Sequence, residues 1–309
     1  MPEMRKSAFG KACHVAALAM IFLVLLVGLA CSPRTESGKI KVVATIFPLA
    51  DFVKNVGGDK VEVITLMSAG DSPHTWEPLP KQVKTIADAG LVVINGAGLE
   101  FWIEKVVETA GSPDLVVLDT SWIPAMEGAL LAGEEDEHEG VNPHIWLDPV
   151  LAQKQVEAIA QALILVDPQN KETYLENAAA YILELKTLDD DIRSTTESFS
   201  IRQFIAFHPA WTYFANRYGL VEAAVIEESP GQEPTSAWME DVIDLARQIE
   251  VKAIFAEPQF SDKAAKTIAE ACGAEVLFLD PIGGADLDGK DSYIELMRYN
   301  VEQMRLAMQ

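Results

Sequence analysis

Two short frames in the chain hold a histidine between prolines: DSPHTWEP, Asp71 to Pro78, and NPHIWLDP, Asn142 to Pro149. Pro73 fixes its own φ and restricts Ser72, and Pro78 restricts Glu77, so the imidazole of His74 has little backbone entropy left to lose on binding. Pro143 and Pro149 frame His144 in the same way. Either frame alone reads as a loop histidine packed on its tryptophan; two in one chain point to a site. His208 directly follows the apolar run RQFIAF, and Asp280 closes the run EVLFLD. His74, His144, His208 and Asp280 are therefore the candidate site residues, and their donors suit a bound ligand.

The elements that position them follow from hydrophobic patterning. VVATI, VEVITLM, LVVING and LVVLD alternate with helical stretches such as LPKQVKTIADAG, and continuous apolar runs between helices read as buried parallel strands. A helix is expected around PVLAQKQVEAIAQALILV, and the alternation resumes through RQFIAF, VEAAVI, KAIFAE and EVLFLD. The fold class is α/β, with two similar lobes built on parallel sheets. In open α/β sheets ligands bind outside the carboxyl ends of the strands. His74, His208 and Asp280 fall on such an edge, and all four candidates meet if the lobes face each other.

Between the lobes, Asp167 is placed to cap a helix with Pro168 at its first position, and the helix is expected from about Lys171 to Glu197. Leu175, Ala178, Ile182, Leu185 and Ile192 form one apolar stripe. The pattern reads either as an ordinary surface helix or, given its place between two similar halves, as a rigid connector. The expected organisation is a signal peptide at 1–30, a tether at 31–38, a first lobe at 39–166, a linking helix at 167–199 and a second lobe at 200–309.

Composition narrows the partners. The formal net charge is −23, which argues against nucleic acid, where binding begins with Lys and Arg neutralising phosphates, and is compatible with a cationic ligand. Arg5, Lys6 and Lys11 precede the apolar run Val15–Ala30, which falls short of the roughly 20 residues of a membrane span and reads as an export signal. The run ends in VGLAC, which resembles the lipobox of bacterial lipoproteins and implies lipid on Cys31. Gly28 stands where that pattern usually has Leu, so cleavage without lipidation and a free periplasmic protein stay open. With Cys13 exported away and Cys31 lipidated, Cys272 has no thiol partner.

PHTWEP, NPHIWLDP, FHPAWTYFANRYGL and LDPIGG, with SPGQEPT and IFAEPQFS between them, resemble the signature segments of the metal-binding receptors that serve bacterial ABC transporters for zinc and manganese. The resemblance runs from about Lys39 to the C-terminus. It implies two lobes joined by one long helix, a monomer that delivers its ion to an ABC permease, and one divalent ion held in the cleft by His74, His144, His208 and Asp280. Histidine at the third ligand position, here His208, goes with zinc (Zn2+), and glutamate there goes with manganese (Mn2+). Ligand chemistry agrees, because imidazole suits zinc and oxygen suits the harder manganese ion. Four protein ligands make a closed site, which binds and does not catalyse.

Two other readings stand beside this one. Three histidines on an open zinc site could activate water with Glu257 or Glu77 as base, making a hydrolase, although HExxH and GxSxG are absent. Receptors of this family have also been described as adhesins. Glu77, Asp148 and Glu257 are candidates to orient ligand imidazoles from behind, or else surface acids. The acidic run GEEDEHEG, Gly133 to Gly140, carries His138 and is either a solvated loop or a weak metal collector.

Overall fold

Runs rich in Val, Ile and Ala form strands wherever a helix separates one run from the next. The computed structural model describes residues 38–133 and 140–309. The signal segment, Cys31 and His138 lie outside them. In the first lobe β1 (Ile40–Ala44), β2 (Val61–Thr65), β3 (Leu91–Ile94) and β4 (Val116–Asp119) make a parallel sheet in the order β2-β1-β3-β4. Val42 sits opposite Val63 on one side and Leu91 on the other. Helices α1 (Phe47–Gly57), α2 (Pro80–Ala87) and α3 (Ile103–Ala110) connect the strands, and α4 (Pro149–Val166) follows the His144 segment.

After the connecting helix α5 (Lys171–Glu197), the second lobe repeats the plan. Here β5 (Gln203–Ala206) pairs with β6 (Val221–Val225), and β7 (Ala253–Ala256) pairs with β8 (Glu275–Phe278), all parallel. Strand β5 lies beside β7, so the spatial order β6-β5-β7-β8 repeats that of the first lobe. Helices α6 (Thr212–Tyr218), α7 (Ser236–Gln248) and α8 (Lys263–Cys272) link these strands, and α9 (Tyr293–Met308) closes the chain.

The connector has the expected extent but a different buried face. Pro168 opens a 3-10 turn, Pro168–Asn170, and the α-helix starts behind it at Lys171. Its 27 residues span about 40 Å at about 1.5 Å each. The buried stripe is Tyr174, Ala178, Tyr181, Leu185, Leu188, Ile192 and Thr196, so two tyrosines take the places expected for Leu175 and Ile182. They can be buried because each phenol finds a carboxylate: Tyr174 donates to Asp167 and Tyr181 donates to Asp51, both at 2.9 Å.

The Asp51 contact joins three elements. Its Oδ2 on α1 accepts from Tyr181 on α5 and from the backbone N–H of Tyr293 at the start of α9, 3.1 Å away. Tyr293 in turn donates its hydroxyl to the Trp146 carbonyl, and the Trp146 indole donates to the Pro281 carbonyl, both at 2.7 Å. One continuous apolar core, including Val43, Phe52, Trp146, Tyr181, Phe214, Tyr293 and Met304, runs through both lobes and the helix between them. A second cluster around Ile205, Ile254, Val242 and Ile268 packs α7 and α8 on the second sheet.

This junction makes the first prediction. Tyr181→Phe keeps the ring packing and removes the donor to the buried Asp51 carboxylate, which should cost about 1–3 kcal/mol of stability. Urea denaturation checks it, and an unchanged midpoint would show that the contact does not carry the junction.

Candidate metal centre

Each histidine is delivered by a segment anchored elsewhere. His74 stands in the loop after β2, where Thr75 N–H bonds the Ser72 carbonyl and Asp71 accepts from Ser68 N–H at 2.8 Å. Trp76 packs on Trp102, with ring centroids 5.0 Å apart, so the tryptophan holds the loop and leaves the imidazole free of it. The His144 segment is tied down by Asn95, whose amide donates to the Pro143 carbonyl at 2.7 Å. Here the tryptophan does meet its histidine: the Trp146 and His144 rings lie 5.3 Å apart. His208 follows β5, and its ring lies edge-on to Phe260 at 5.7 Å.

Hydrogen bonds then orient the rings. Asn142 donates its Nδ2 to the Pro209 carbonyl, which fixes the amide so that Oδ1 faces His144. That oxygen accepts from both the backbone N–H and the Nδ1–H of His144, at 3.0 and 2.9 Å. The proton of His144 is therefore on Nδ1, and Nε2 presents a lone pair. Glu257 Oε1 lies 2.7 Å from His208 Nδ1, with both side chains almost wholly buried.

The three imidazoles converge. His144 Nε2 is 3.0 Å from His74 Nε2 and 3.0 Å from His208 Nε2. One lone pair accepts only one proton, so His144 cannot satisfy both neighbours through hydrogen bonds. A cation shared by all three nitrogens satisfies them together. Bonds of about 2.0–2.1 Å to a tetrahedral zinc ion place neighbouring nitrogens about 3.3 Å apart, close to the spacing found. The space among the rings is about 10 Å³, the size of one ion or water.

Electrostatics favour neutral rings. Burial, reinforced by His208, pushes His74 down to about 3; burial alone pushes His208 down to about 3. His144 falls well below its usual range, through burial and then its two histidine neighbours. Burial drives Glu257 well above the usual carboxylate range, against the hydrogen bond from His208 and assisted by Asp280. A cation on His208 Nε2 relieves that cost, because it stabilises Glu257 as a carboxylate accepting from Nδ1–H.

The other candidates divide. Asp280 is buried but not among the three converging rings. Its Oδ1 accepts from Ile282 N–H, Gly283 N–H and Gln259, and its Oδ2 pairs with Lys290 at 2.7 Å. Burial would raise its pKa, but the Gly283 amide, Lys290 and Gln259 outweigh burial and hold it low. Asp148 does not orient an imidazole: it caps α4 through Val150 N–H and chelates Arg217, with the shortest contact at 2.7 Å. Glu77 is exposed, and only Glu257 of the three acids backs a ring. Asn142, Asn95 and Gln259 escaped the sequence reading; Asn142, directly ahead of Pro143, was the one with a local signal, the tendency of Asn to bond the backbone two residues on.

The chain is similar to known proteins over most of its length. The family model for the zinc-uptake complex component A, periplasmic, matches residues 42–307. The high-affinity zinc uptake system protein ZnuA of Bacillus subtilis is 34% identical over 289 residues, covering 89% of this chain and 89% of that protein. The zinc-binding lipoprotein AdcA of Streptococcus pneumoniae is 32% identical over 302 residues, covering 94% of this chain, which spans 59% of AdcA. A crystal structure of ZnuA superposes with a TM-score of 0.78 at 32% identity, covering 87% of this chain and 99% of that one.

The depressed imidazoles make the second prediction. Histidines in the unfolded chain titrate near about 6.5, so the unfolded state takes up protons before the folded one. Their contribution to stability is present above about pH 6.5 and is lost as pH falls toward about 3. Urea denaturation of metal-free protein should show stability falling from about pH 6.5 downward, with a shallower slope in His144→Asn. A flat profile would mean that water reaches the rings in the metal-free protein.

Proposed function

The chain belongs to the family of periplasmic zinc-uptake components, and on that premise we propose that it is an extracytoplasmic receptor that captures a divalent metal ion, zinc above manganese, and hands it to an ABC permease. The observation that carries this reading is the single lone pair of His144 facing two other imidazole nitrogens at 3.0 Å. His74, His144 and His208 supply three neutral nitrogens, and Asp280 supplies the fourth ligand once its Oδ2 is released from Lys290. Zinc is favoured because imidazole and four-coordination both suit it, while manganese prefers oxygen and more ligands. A closed site leaves no position for an activated water, so the protein binds and releases rather than hydrolyses.

The lobes act at 39–166 and 200–309, with 167–199 as the stiff element between them. Export removes residues 1–30, lipid on Cys31 anchors the protein, and 31–38 is the tether. Among the described residues no helix is long and apolar enough to cross a membrane. The receptor works as a monomer.

Two experiments test this. Calorimetry should show His208→Ala losing a few kcal/mol of the roughly 10–16 typical of a structural zinc site, and His208→Glu losing zinc affinity while narrowing the gap to manganese. Unchanged zinc binding in both variants would remove His208 from the ligand set. Cys31→Ala should alter processing and shift the protein from the membrane fraction to the soluble one; membrane association that survives the substitution would rule out the lipid anchor.

A further inference from the structure

The two oxygens of Asp280 are held very differently. Oδ1 is saturated by Ile282 N–H at 3.1 Å, Gly283 N–H at 3.0 Å and Gln259 Nε2 at 2.9 Å. The backbone is pinned as well, because Asn300 accepts from Asp280 N–H and donates to its carbonyl, both at 2.7 Å. Only Oδ2 remains, and it pairs with Lys290 Nζ at 2.7 Å. The Asp280 side chain is 1% exposed and that of Lys290 16%, so this is a largely desolvated pair rather than a weak surface one.

A local loop brings the lysine there. Gly283 adopts φ 70°, and a Cβ on it would stand 3.0 Å from the Lys290 carbonyl, so the loop closes too tightly for a larger residue. Lys290 N–H bonds the Leu287 carbonyl at 2.9 Å, and the ammonium lies 5.0 Å over the Tyr299 ring. Meanwhile Gln259, Pro281 and Ile282, the neighbours of Asp280, line the space among the three imidazoles. Lys290 thus reaches the carboxylate from outside the ring cluster.

With Asp280 as the fourth ligand of the metal-receptor reading, Lys290 and a captured ion would compete for one oxygen. Competition of this kind is a reciprocal coupling: whatever holds the lysine in place weakens Asp280 as a ligand. The loss falls unequally on different ions. Three imidazoles meet most of the demand of zinc, whereas manganese draws more of its affinity from oxygen. Resting on the metal-receptor reading above, we infer that Lys290 is a specificity-determining residue whose ammonium competes with the ion for Asp280 Oδ2 and so biases the site toward ions satisfied by nitrogen.

The test compares Lys290→Met and Lys290→Gln, which remove the charge, with Lys290→Arg, which keeps it, each alone and in an Asp280→Asn background. Zinc and manganese affinities are read by chelator competition, and coordination is read from the visible absorption of the cobalt(II)-loaded protein. Lys290→Met should narrow the preference for zinc over manganese by roughly tenfold. Its cobalt spectrum should shift as Asp280 Oδ2 binds the ion more closely. Lys290→Arg should match the parent, and the effect should vanish without the Asp280 carboxylate. If Lys290→Met does not fold, Lys290→Gln reads the same quantity. A preference moved by less than about twofold, or moved equally in Asp280→Asn, overturns the role of Lys290. If His208→Ala still abolishes tight zinc binding in that case, the receptor reading stands without it; if His208→Ala changes nothing, both fall.

Discussion

His144 Nε2 has one lone pair and two imidazole nitrogens to face, each 3.0 Å away. A polypeptide does not hold three nitrogen acceptors this close without a frame, because neutral buried rings gain little from one another and lose their water. The frame here is local and distant at once. Prolines stiffen the segments of His74 and His144. Asn142 then ties His144 in the first lobe to the Pro209 carbonyl beside His208 in the second. Glu257 fixes the remaining ring. An ion offers almost no surface to bury, so its affinity comes from coordination bonds, and geometry set before binding lowers the cost of making them.

The rest of the fold serves that rigidity. The Asp51 carboxylate joins α1, α5 and α9, and the Tyr293–Trp146–Pro281 relay carries the same junction to the segments that bear His144 and Asp280. Because one apolar core passes through both lobes, moving them apart would expose buried aromatic surface as well as break these bonds. Of the three histidine segments, that of His74 is the one held chiefly by its own turns and a tryptophan pair.

Charge balance completes the picture. Glu257 and Asp280 are buried carboxylates beside three neutral rings, and a buried charge needs a partner. Asp280 has Lys290; among the described residues, Glu257 meets His208 through Oε1 while its Oε2 finds no hydrogen-bond partner. A dication among the rings would stabilise Glu257 as a carboxylate. This local balance, more than the net charge of −23, is what recommends a divalent cation.

Much of this was legible in the sequence because it is local. Apolar runs broken by helical stretches encode strands, and the span Lys171–Glu197, free of Gly and Pro, encodes one long helix. Prolines around His74 and His144 mark residues held for a purpose. The partner of each acid was not legible, because it depends on segments far apart in the chain meeting in space. Asp148 and Glu257 look alike in sequence, yet Asp148 chelates Arg217, 69 residues on, while Glu257 backs His208, 49 residues before it. Tyr181 rather than Ile182 turns inward for the same reason: Asp51, 130 residues earlier, waits there for a hydroxyl. Periodicity records which face of an element is buried, and only the assembled fold decides which polar groups are buried together.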